Sequence, residues 1–171
     1  MIAWRAYGPA EAPGIEEDGI KVFGKVVGTT LAESLRAHLN SINANDYFAL
    51  LAYIEMNPPH EAALEAIRKQ VRDSKRVATC LGSGPRFLHS TGQAYKGGPN
   101  SGVFLQITAD DAHDLAIPEQ KYTFGIVKAA QARGDLAVLR ERGRRALRIH
   151  LGADVDSGLK KLAAAMERGL Q

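Results

Sequence analysis

Between Phe87 and Asn100 the sequence FLHSTGQAYKGGPN sets an imidazole, two hydroxyls, an amide and an ammonium beside three glycines. A histidine exchanges protons near neutral pH, hydroxyl and amide groups orient a polar ligand, and glycines let the backbone come close to it. His89 is therefore the candidate catalytic acid/base, with Ser90, Thr91, Gln93 and Lys96 as candidate substrate-orienting groups. Gln93 follows His89 by four residues, which turns both the same way if the segment is helical, and Lys96 follows a turn later. The competing reading of His89 is a structural histidine that caps a helix through its ring.

Other residues are weaker candidates. Gly82-Ser83-Gly84 after an apolar segment suggests a phosphate cradle, but it lacks the Gly-Lys-Ser/Thr ending of a P-loop and the third glycine of a dinucleotide fingerprint. A plain turn is an equal reading. His150 is expected at the carboxyl end of the last strand, whereas His38, His60 and His113 are expected on the surface. Cys80, the single cysteine, lies in the apolar run Val77–Leu81 and is expected to be a buried, inert thiol. No His/Cys/Asp/Glu set has zinc-ligand spacing, and Asp110, Asp111 and Asp114 read as a solvated loop, so no metal and no cofactor is expected.

The elements that must position these groups alternate along the chain. Thr30-Leu31-Ala32-Glu33 has capping-box spacing and opens a helix over about 30–40. The run Tyr47–Ile54 is apolar throughout, as in a strand buried on both faces. Asn57-Pro58 starts a second helix with Leu64, Ile67 and Val71 as its stripe. Strands over 76–82, 103–107 and 146–151, a helical region 122–142 and a last helix carrying Leu159, Leu162 and Met166 complete the order. This predicts an α/β fold: a doubly wound, mainly parallel sheet with helices on both faces, three layers in all. Ligands of such sheets bind beyond the carboxyl ends of the strands, where Gly82-Ser83-Gly84-Pro85-Arg86 begins. Residues 1–28, rich in Gly, Pro and Glu, read as a linker or N-terminal extension with one edge strand at Ile20–Phe23, and 29–171 as the domain.

With 171 residues, 45% of them hydrophobic, the chain suits one domain with one core. It shows no membrane-spanning run and no secretory layout at its start, so a cytoplasmic protein is expected. The net charge is +3, with arginines gathered at 140, 142, 144, 145 and 148. A solvated helix end is the first reading of that cluster; nucleic-acid binding ranks last, since no aromatic or groove-reading surface accompanies it.

Three segments carry a resemblance: Gly84–Gln93 with Lys96–Asn100, Phe104–Thr108, and Arg144–Gly152, supported by Asp46–Tyr53 and Tyr122–Gly125. They resemble the C-terminal glucose-6-phosphate isomerase portion of bifunctional transaldolase/phosphoglucose isomerases, over about residues 29–166. The resemblance implies the second of two sugar-isomerase (SIS) domains, acting on a phosphorylated sugar. It implies ring opening assisted by a histidine and a glutamine four residues later, which His89 and Gln93 match, then proton transfer through a cis-enediolate. The family's catalytic glutamate and arginine come from earlier parts of its chain and are assigned to no residue here. Lys160 and Lys161 lack the flanks of the family's terminal lysine motif and receive no role. The base is then expected from a transaldolase or first SIS domain or another subunit, within a homo-oligomer. The rival is a non-catalytic sugar-phosphate-binding or dimerisation module.

Overall fold

The computed structural model describes residues 11–171. Its helices start where the sequence supplies caps. Thr30 accepts from the Glu33 amide and Glu33 reaches back to the Thr30 amide, opening α1 (Leu31–Leu39). Asn57, then two prolines, opens α2 (Pro58–Lys75), which ends on Arg76 in the left-handed conformation. A short α3 (Thr91–Gly97) precedes α4 (Phe124–Glu141), capped by Thr123, and α5 (Val155–Leu170), capped by Asp154.

Six strands form one sheet: β1 (Ile15–Glu17), β2 (Ile20–Gly24), β3 (Tyr47–Tyr53), β4 (Ala78–Ser83), β5 (Gly102–Thr108) and β6 (Arg145–His150). Their order is β1-β2-β6-β5-β3-β4. β6, β5, β3 and β4 are parallel, and the β1–β2 hairpin adds antiparallel to β6. The mainly parallel α/β architecture expected from the alternating pattern is thus the one adopted.

Side-chain alternation sorts the core into two layers. Phe48, Leu50 and Ala52 of β3 pack with the stripes of α1, α2 and α5, including Leu64, Ile67, Leu162 and Met166. Ala49, Leu51 and Tyr53 point the other way, towards Phe87, Tyr95, Ala132 and Leu139. β3 is buried on both faces because helices cover both. Gln106 of β5 ties α4 down by donating from Nε2 to the Ala132 carbonyl at 2.9 Å.

The N-terminal expectation needs correction. Residues 15–24 are not linker but part of the sheet: Ile15, Ile20 and Val22 belong to the core, so a boundary at 29 would cut through the fold. Ile20–Phe23 does form a strand, yet an inner one, flanked by β1 and β6. Asp18-Gly19, with φ of 52° and 82°, makes the tight turn between β1 and β2. Aspartate followed by glycine is the strongest short hairpin signal, and it lay in the sequence unread. The remainder of the expected extension, residues 1–10, lies outside the described residues.

Candidate functional site

β3 sits between β4 and β5, so the chain leaves β3 for one side, then returns past it to the other. The carboxyl ends of these strands are where an open parallel sheet takes ligands. The stretch singled out in the sequence starts at this edge. Gly84, next after β4, donates its amide to the Ala52 carbonyl at 2.7 Å, and a 3-10 turn over Arg86–His89 leads into α3.

Two glycines make this path possible. A Cβ on Gly84 would lie 2.7 Å from the Tyr53 ring, and one on Gly92 would lie 2.9 Å from the Phe87 carbonyl oxygen. The chain therefore lies directly on the core. Phe87 is its anchor, edge-on to Tyr53 with ring centroids 5.6 Å apart and tilted against Tyr95 at 6.1 Å.

On this base the candidate groups separate into two sets. His89, Ser90, Thr91 and Gln93 are exposed on the turn and the first residues of α3. Ser90 Oγ donates to the Phe87 carbonyl at 3.3 Å, and Gln93 Nε2 donates to the Leu88 carbonyl at 3.0 Å. The segment is not one helix, because Ser90 breaks it at φ −138°, ψ −104°; the i to i+4 alignment expected of His89 and Gln93 therefore does not apply, and the Gln93 amide folds back over the turn instead. Lys96 turns inward. Its Nζ meets Asp135 Oδ1 at 2.8 Å, and the Tyr53 hydroxyl donates to Asp135 Oδ2 at 3.2 Å. Burial and the adjacent Asp135 charge push the Tyr53 hydroxyl pKa up, so it stays a donor.

Asp135 was missed in the sequence because it sits inside the apolar stripe of α4, beside Ala132, Leu136 and Leu139. An acid within such a stripe was the available signal. Arg144 was missed too: its Nη2 donates to the carbonyls of Lys96 at 2.8 Å and Gly98 at 2.6 Å, holding the end of α3. The arginine cluster is thus not a solvated helix end. Arg144 and Arg145 are half-buried and Arg148 is buried, because strand β6 carries them back under the fold.

Other histidines also depart from expectation. His60 is buried, with Nδ1 on the Glu55 carbonyl at 2.9 Å and Nε2 3.3 Å from Asp156. His38 is half-buried against the sheet, donating from Nε2 to the Phe104 carbonyl at 3.0 Å; His113 is exposed. His150, at the end of β6, lies between Thr108 Oγ1 at 3.1 Å and Asp110 at 3.4 Å. Cys80 is half-buried with Sγ 3.3 Å from the Tyr95 hydroxyl. Asp114 accepts from Thr123 Oγ1 and from the Gly125 amide, fixing the start of α4, while Asp111 pairs with Lys128. Among the described residues no three His, Cys, Asp or Glu side chains gather as a metal site would require, and no helix is long and apolar enough to cross a membrane.

With this geometry the class is defined at the level of architecture: a three-layer α/β protein. No protein-family profile and no curated protein matches the sequence. Among solved structures, the fold is similar to a hypothetical protein from Thermus thermophilus, with a TM-score of 0.67 at 14% identity over 82% of this chain. The match takes in 39% of that longer chain, so this chain spans about two fifths of the structure it resembles.

Proposed function

We propose that this chain is the second SIS-like domain of a glucose-6-phosphate isomerase, interconverting glucose 6-phosphate and fructose 6-phosphate. The observation that carries the reading is the exposed polar surface His89-Ser90-Thr91-Gln93, which follows the carboxyl end of β4 and stands on a base fixed by Phe87, Tyr53 and the Lys96–Asp135 pair. Burial does not call for those side chains, and packing holds the backbone beneath them in place. In this reading the His89 imidazole moves a proton between the anomeric hydroxyl and the ring oxygen as the C1–O5 bond opens. Ser90, Thr91 and Gln93 hold the sugar hydroxyls, and Lys96 keeps the segment seated through Asp135.

Proton transfer between C2 and C1 also needs a base within hydrogen-bond reach. Among the described residues no carboxylate lies within 4.0 Å of a His89 ring nitrogen, so the base comes from another domain or subunit, such as a first SIS domain or a transaldolase-linked chain. The second reading is a sugar-phosphate-binding or dimerisation module without turnover.

The test is a coupled assay of fructose 6-phosphate conversion on the chain and on His89→Ala, with binding of a phosphorylated sugar acid measured in parallel. Turnover that His89→Ala abolishes supports an isomerase. Binding without turnover supports the module or a half-site awaiting its partner, and absence of both overturns the sugar-phosphate reading.

A further inference from the structure

A pocket of about 590 Å³ lies beside α4, walled by Leu88 and by residues of α4 and β6, and it gathers Arg133, Arg140 and Arg148. Arg148 is 9% exposed, a guanidinium drawn out of water in mid-strand, with its Cζ 4.0 Å over the Phe23 ring. A charge so placed needs a counter-charge. The one that reaches it is Glu11, whose carboxylate lies 3.6 Å from Arg148 Nη2 and accepts two bonds from Arg140 Nη1 at 2.9 and 3.1 Å.

Glu11 does not satisfy the site. Arg140 Nη2 is buried with no hydrogen-bond partner, and a single carboxylate serves a pair of guanidiniums that Arg133 also approaches. The Arg148 pKa is pushed down by burial, with Glu11 opposing and Arg140 and Arg133 adding to the fall. Of the other acids in the wall, Asp135 is matched by Lys96, and Glu141 is exposed at the end of α4. With Glu11 displaced, three guanidiniums face Glu141 alone, a surplus of two positive charges. Guanidinium forks suit tetrahedral oxyanions, which offer several acceptors to several arginines at once.

We propose that this pocket is a binding site for a phosphate monoester dianion, and that Glu11 is a built-in competitor that occupies it in the ligand's absence. Glu11 reaches Arg140 across 129 residues of sequence, so it acts as a tethered ligand whose displacement frees the N-terminal segment from α4. This inference stands apart from the isomerase reading, since it invokes neither His89 nor turnover.

The test is titration calorimetry with inorganic phosphate on the full chain, at ionic strength held constant with chloride. Glu11→Gln keeps the shape of the side chain and removes its charge; it is expected to bind phosphate at least fivefold more tightly than the parent. Adding Arg140→Met in that background is expected to weaken binding at least tenfold, with an unchanged circular dichroism spectrum showing that the fold survives. Should Arg140→Met fail to fold, Arg140→Lys, which keeps the charge and loses the fork, is expected to give a partial loss. Equal or weaker phosphate binding by Glu11→Gln overturns the proposal, as does undiminished binding after the Arg140 change. Fructose 6-phosphate competing for the same site would extend it to sugar phosphates, whereas competition by chloride as strong as by phosphate would overturn its selectivity for a dianion.

Discussion

His38 shows how a single side chain couples this fold to pH. Burial, opposed by its bond to the Phe104 carbonyl and aided by Arg145, pulls its pKa from 6.5 down to about 4. The folded state thus holds a neutral ring while the unfolded chain binds a proton at the ordinary value, so stability falls as pH drops from 6.5 towards 4. The loss is at most about 3 kcal/mol, since His38 keeps some solvent contact. Urea denaturation across this window should show the slope, and His38→Gln should flatten it. Lys96 makes a sharper case. Lys96→Met leaves the Asp135 carboxylate buried and unpaired, and is expected to cost about 3–5 kcal/mol. Pairing it with Asp135→Asn should recover most of that loss in the same denaturation experiment. If Lys96 were merely a surface cation, the single change would cost less than about 1 kcal/mol.

At the scale of elements, the stretch from β4 to α3 depends on close approach. Gly84→Ala sets a methyl group against the ring of Tyr53, which is 1% exposed and bonded to Asp135, so the turn must lift. A destabilisation of about 1–3 kcal/mol is expected, as for other overpacked sites, together with weaker sugar-phosphate binding than that of a stability-matched core variant. Thermal melting and ligand titration of the two proteins check this. The long helices were legible in the sequence because their caps and stripes are local: Thr30 with Glu33, Asn57 with Pro58, and Leu159, Leu162 and Met166 all act as their spacing predicts. The 84–97 segment was legible in its residue types but not in its shape. Its break at Ser90 and the inward turn of Lys96 follow from packing on Tyr53 and Asp135, which lie 37 or more residues away in sequence from Ser90 and are invisible to a local pattern.

Across the whole molecule, the amino ends of the parallel strands are cross-linked by charge. Arg145 at the start of β6 donates to both oxygens of Asp46, just before β3, at 2.7 and 3.0 Å. That hydrogen bonding holds the Asp46 pKa below 3.8, so its contribution is full above 3.8 and lost as pH falls through the lowered folded value. Asp46→Asn should therefore be less stable than the parent at pH 7, and the gap should narrow at pH 3, as denaturation at both values would show. The alternating order of elements announced the layers, but not the hairpin that closes them, because β1 and β2 are short and pair with a strand from the far end of the chain. That pairing sets a schedule for a protein made from its first residue onwards. β2 emerges among the earliest residues, yet its neighbour β6 is among the last to leave the ribosome. The hairpin must wait through nearly all of translation, its apolar face without a sheet to join. The contact between Glu11 and Arg140 is equally late, so an occupied arginine pocket marks a chain whose synthesis and folding are both finished.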